Sequence, residues 1–197
     1  MKKLLVIIVL GLLWSGNAYA NDIKDIQIEG MSIGDSLLDY YPEEEIKKGF
    51  PENWSYKNKT YQNTYLHENN SHKNLKKYET VQVNYKTKDK NYTIVSLEGI
   101  VGMGFKECLK EKEVALESVK PFLVGVKYIG GGTKKHSYDK TGDSKVDNTI
   151  FEFKLKGRFV LECTDWSDKL TSSKGWADIF KVRLYTKKFD KFLLRAY

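Results

Sequence analysis

The sequence predicts an α+β fold, an antiparallel sheet or sheets with helices packed on one face. Two observations predict it. Alternating apolar segments of strand length recur on either side of one long amphipathic segment, Gly104 to Pro121, whose apolar residues follow helical spacing. The order of elements is short helices, about three strands, a helix, then further strands, which reads as helix-plus-strands twice over. Residues 21–197 are read as a single α+β domain with possible halves 28–100 and 101–197. The pattern leaves open whether the halves share one sheet or form two lobes.

The first element is a leader. Lys2 and Lys3 precede an apolar run from Leu4 to Leu13 and a small-residue site at Ala18-Tyr19-Ala20, the pattern of a cleavable signal peptide over 1–20. The run is too short to span a bilayer comfortably, so no stable membrane anchor is expected after cleavage. A periplasmic or secreted location follows. Asn21 rather than cysteine comes after the expected cut, so no lipid attachment is expected.

Ile23, Ile26 and Ile28 predict an edge strand or a loose arm. Asp35 or Ser36 is placed to cap a short helix. Pro42 opens a second short helix, Glu43 to Lys48, with acids at its start and lysines at its end as the helix dipole favours. An irregular strand is expected over Thr60 to Leu66. Val81, Val83 and Tyr85 then alternate, Lys88 to Asn91 turn the chain, and Tyr92 to Ile100 returns as a more buried strand, giving an antiparallel hairpin.

The central helix places Phe105, Cys108, Leu109, Leu116 and Val119 on one side, with Ala115 at its margin. Lys112 falls in the middle of that side. Its stem is expected to pack while its ammonium reaches water; the alternative is a buried cation facing a carboxylate or a ligand. After Pro121, Phe122 to Ile129 reads as a strand and Gly130-Gly131-Gly132 as a flexible turn. Phe151, Phe153 and Leu155 alternate, as do Phe159, Leu161 and Cys163, and Phe180, Val182 and Leu184 point inward from a last strand. Residues 164–175 read as a loop with Trp166 and Trp176 near its ends, and the tail from Lys187 as one helical turn or more.

Cys108 and Cys163 are the only cysteines. An even count in an exported chain predicts one disulfide, here stapling helix to sheet. Closing a loop of about 55 residues is worth roughly 4 kcal/mol in the chain-entropy model.

The formal net charge of +7 is spread along the chain, lysines and glutamates alternating. A nucleic-acid surface needs a clustered basic face or a recognisable module, and neither is present, so no nucleic-acid partner is expected. There is no Gly-x-Ser-x-Gly elbow. His67, His72 and His136, the only histidines, fit no metalloprotease pattern. The triple glycine lacks the Gly-Lys-Ser/Thr ending of a phosphate loop, and Asp139 to Asp147 lacks the register of a calcium loop. No catalytic residue, cofactor or metal is assigned.

Ile28 to Ile46, taken with Phe105-Lys106-Glu107-Cys108, Asp139 to Lys145 and Glu162-Cys163-Thr164-Asp165-Trp166, resembles a group of small exported bacterial proteins of unknown function. That resemblance covers most of the chain after the leader and implies export but no activity. The Gly30-Met31-x-x-Gly34-x-Ser36 opening is more distantly similar to small outer-membrane assembly lipoproteins and to the β-lactamase-inhibitor-protein fold.

The predicted function is non-catalytic binding of an unknown envelope protein or small ligand. Candidate contact surfaces are the aromatic stretch with Trp54, Tyr56 and Tyr61, and the loop carrying Trp166 and Trp176; any one of these rings could instead complete a small core. Two alternatives are a small-ligand carrier with a roomy apolar pocket and a carbohydrate-active enzyme using a carboxylate pair, with Asp165 and Asp168 beside Trp166 as candidates.

Overall fold

The computed structural model describes residues 22–49, 56, 59–67, 75–154 and 157–196. The expected leader, 1–20, and Trp54 lie outside the described residues. After a 3-10 turn at Ile23–Asp25, β1 (Gln27–Ile28) pairs with β2 (Met31–Ser32). Ile23, Ile26 and Ile28 are all buried, so this segment is a packed arm. Ser36 accepts from the backbone N–H of Leu38 and caps a 3-10 turn, Leu37–Asp39. Helix α1 (Glu43–Lys48) follows Pro42, and its Ile46 carbonyl accepts from Thr64 Oγ1 at 2.6 Å.

Strands β3 (Tyr61–His67), β4 (Thr80–Lys86) and β5 (Ser96–Gly102) form a meander. The chain then gives α2 (Phe105–Val119), β6 (Lys127–Lys135), β7 (Lys145–Phe153), β8 (Gly157–Asp165), α3 (Asp168–Lys174), β9 (Ile179–Thr186) and α4 (Lys187–Ala196). Among the described residues the main sheet has seven strands in the order β3-β4-β5-β9-β8-β7-β6, every pair antiparallel. Because β9 inserts between β5 and β8, the two halves share one continuous sheet.

Several segments differ from expectation: Phe122 closes a 3-10 turn (Lys120–Phe122) and the strand expected from it begins only at Lys127, while the strand expected from Tyr92 begins at Ser96. The triple glycine lies inside β6 rather than in a turn. Gly130 and Gly132 have φ of 146° and 100°, which only glycine tolerates readily, and the register slips between Tyr128 and Gly130, so glycine here serves a bulged edge strand. Residues 168–174 form α3 rather than loop, with Gly175 ending the helix in the left-handed region at φ 68°.

Strand alternation divides the sheet into two faces. On one, Val81, Val83, Leu97, Phe159, Leu161, Phe180, Val182 and Leu184 form the main core with Ile46 of α1 and with Cys108, Ala115 and Val119 of α2. This is the helix-covered face the sequence predicts. Helix α4 adds cover to the reverse face, where Phe189 and Phe192 pack with Val160, Tyr185, Tyr56 and Tyr61.

The inner stripe of α2 makes two adjacent links to the sheet. Cys108 is disulfide-bonded to Cys163 of β8, with Cα atoms 5.8 Å apart. One helical turn later, Lys112 is only 5% exposed and its ammonium pairs with Asp147 of β7. The expected snorkelling does not occur, because the middle of the stripe faces the sheet and Asp147 supplies a carboxylate there. Asp147 and Cys163 are directly opposed in the β7–β8 register, so residues one turn apart on the helix meet neighbours across two strands.

A candidate aromatic and charged contact site

The site is built at the end of the sheet where the β6–β7 hairpin meets the β8–β9 connection. The hairpin is closed by His136 N–H donating to Ser144 O at 2.8 Å. Its turn is organised by Asp139, which is buried and accepts from Thr141 N (3.0 Å), Thr141 Oγ1 (2.7 Å), Ser144 N (3.1 Å) and Ser144 Oγ (2.6 Å). The hydrogen bonds from Ser144 and Thr141 hold the Asp139 carboxyl well below the usual carboxylate range. Ser144 Oγ in turn accepts from Ser167 N at 2.9 Å, tying the hairpin to the start of α3. Trp166 N donates to Asp178 Oδ1 at 2.8 Å, which joins the two ends of the β8–β9 connection.

These ties bring four rings together. His136 lies 4.3 Å from Trp166, Trp166 4.6 Å from Trp176, and Trp176 5.1 Å from Tyr138, measured between ring centroids. His136, Trp166 and Trp176 are half-buried, and Tyr138 is 53% exposed. Burial holds the His136 imidazole below its ordinary value, against the opposing pull of Glu162.

Beside the rings on the reverse face runs a charged row. Arg183 donates from Nη1 to Glu162 Oε2 at 3.0 Å and from Nη2 to Glu98 Oε1 at 3.3 Å, and Lys181 lies 3.7 Å from Glu162. Burial pushes the Glu162 carboxyl up, but the charges of Arg183 and Lys181 outweigh it and hold the group below its ordinary value. Among the described residues, the buried atoms Thr164 Oγ1, Ser167 Oγ and Arg183 Nε have no hydrogen-bond partner.

The predicted contact residues divide. Trp166 and Trp176 come together in the half-exposed cluster. Tyr56 and Tyr61 do not form a surface: they are 4% and 6% exposed and pack edge-on against Phe192 of α4 at 4.7 and 4.8 Å, with Tyr56 OH donating to Asn84 Oδ1 at 3.1 Å. Helix α4 needs an apolar bed on the reverse face, and these two rings supply it. The Cys108–Cys163 bridge is fully buried between α2 and β8.

No protein-family model, curated protein or solved structure matches the chain. The site is therefore read from its own chemistry.

His136 and Tyr138 were not legible as site residues, because reading the triple glycine as a turn ends β6 too early. Continued to Lys135, the strand pairs with Lys145, which itself pairs with Asp165, and that register sets His136 next to Trp166. The proposed carboxylates behave separately: Asp165 lies 3.7 Å from Lys145, and Asp168 occupies the first turn of α3. The carboxylates that the fold does bring to one partner are Glu98 and Glu162, joined through Arg183. Acid–base cleavage of a glycoside needs one carboxyl kept protonated, and Glu162 is driven the other way.

Proposed function

We infer that the protein is a non-catalytic binding protein of the periplasm or extracellular space, and that the His136, Tyr138, Trp166 and Trp176 cluster is its contact surface for another envelope protein. The observation that carries this reading is the convergence of four half-exposed rings from two separate connections, clamped by the Asp139, Ser144 and Asp178 hydrogen bonds. Rigid aromatic side chains give large contact area at low cost in conformational entropy, and they dominate interface hot spots. The adjoining row of Glu98, Glu162, Arg183 and Lys181 is internally compensated, which suits a polar rim more than capture of a polyanion.

Small-ligand carriage has less support. A dimple lined by Glu152, Phe153, Gly157, Arg158, Lys187 and Asp190 is shallow and open to solvent and encloses essentially no volume. Drug-sized pockets begin at roughly 300 Å³, and this one lies beside α4, not between α2 and the sheet.

The test is affinity capture from envelope extracts under non-reducing conditions, comparing wild type with Trp166→Ala and Trp176→Ala at matched stability. Hot-spot truncation is worth about 2 kcal/mol or more, a loss of more than tenfold in retained partner. A specific partner held equally by wild type and both variants would refute this surface.

A further inference from the structure

The Cys108–Cys163 bridge and the Lys112–Asp147 contact are parallel links. Cys108 and Lys112 are one turn apart on α2, and their partners are opposed across β8 and β7. The Lys112 and Asp147 side chains are 6% and 9% exposed, Nζ of one directly meets Oδ1 of the other, and Thr133 Oγ1 of β6 donates to Oδ2 at 2.5 Å. The site thus holds an amine and a carboxyl group screened from water on α2 and β7, with a hydroxyl supplied by the exposed edge strand β6. An ion pair buried in this way carries the desolvation cost of two charges, which an amide does not.

We propose that Lys112 and Asp147 condense into an intramolecular isopeptide bond, a second covalent cross-link between α2 and the sheet. A proton passes from Nζ to Oδ1 across their contact, leaving a neutral amine and a carboxylic acid. Nζ then attacks Cγ, forming the C–N bond, and the negative charge that develops on Oδ2 is met by the Thr133 hydroxyl. One of the two protons on Nζ moves to Oδ1, the C–Oδ1 bond breaks, and Oδ1 departs as water while the Cγ–Oδ2 carbonyl re-forms. The product is one amide and one water, and nothing is oxidised or reduced. The disulfide one turn away fixes α2 against the sheet, so the amine is delivered to the carbon without loss of translational freedom. Such placement is worth effective concentrations of roughly 10⁵–10⁸ M.

Intact-mass measurement of the purified full chain, reduced and denatured, tests this. The expected mass is lower than that of the linear sequence by one water molecule. Tryptic digestion should yield a branched peptide joining the Lys112 and Asp147 segments, with no cleavage after Lys112. Lys112→Arg and Asp147→Ala should each restore the full mass, and Thr133→Val should raise the unlinked fraction. The wild-type mass and the branched peptide decide alone, whether or not either charge variant folds. A wild-type mass equal to the linear sequence overturns the proposal, as does a one-water loss without the branched peptide, which would mark a cyclised aspartate instead.

Discussion

Lys112 is the residue where local pattern and tertiary context conflict. A lysine on an apolar helix stripe ordinarily reaches water along its own stem, yet here Lys112 is itself buried and its amine lies against Asp147. Lys112→Ala leaves that carboxylate buried beside the Thr133 hydroxyl. Relative to protein in which the pair is not condensed, it is expected to cost about 3–5 kcal/mol in urea denaturation, whereas replacing both Lys112 and Asp147 by leucine should recover much of that loss. Glu162 makes a pH argument of the opposite kind. Its folded carboxyl is held below the unfolded value, so the unfolded chain binds the proton first as pH falls. Its contribution is complete above the unfolded pKa, roughly 4, and is lost as pH drops through the lower folded value. Asp139 adds to this in the same direction. The urea midpoint should therefore decline on going from about pH 6 to about pH 3, and decline less in Glu162→Gln.

At the level of elements, the periodic segments were legible. Helix α2, the alternation in β4, β8 and β9, and the dipole-matched α1 all follow from residue spacing that packing does not override. What escaped had weak local signal. Gly130-Gly131-Gly132 has turn composition, and only pairing with β7 makes it a strand. Tyr56 and Tyr61 sit in a polar, aromatic stretch that looks like surface until α4 is laid over it. The Trp166 and Trp176 pair was visible as a loop feature, but its His136 and Tyr138 partners depend on the β6–β7 and β7–β8 registers. The disulfide was legible because two cysteines, in a chain whose sequence predicts export, admit one pairing. Its worth belongs to this scale: replacing Cys108 and Cys163 together by alanine should lower stability by about 2–4 kcal/mol, read as a lower urea midpoint, with the aromatic cluster's near-ultraviolet dichroism retained at low denaturant.

Among the described residues a seven-stranded sheet dominates, with the small β1–β2 sheet beside it, and its two faces are gripped differently. One face carries the apolar core and the two links from α2; the other carries α4 at one end, a compensated charged row, and the ring cluster at the hairpin end. None of the described helices is long and apolar enough to cross a membrane. The core face supports the cluster from behind, and under the proposed function these rings are covered by a partner. The measurement that tests it most directly is hydroxyl-radical footprinting of the protein in intact envelopes against the purified chain. Trp166, Trp176 and Tyr138 should be protected several-fold in the envelope, while Tyr128, 58% exposed on edge strand β6, is labelled equally in both. Equal labelling of the three cluster rings in both preparations would contradict the assignment.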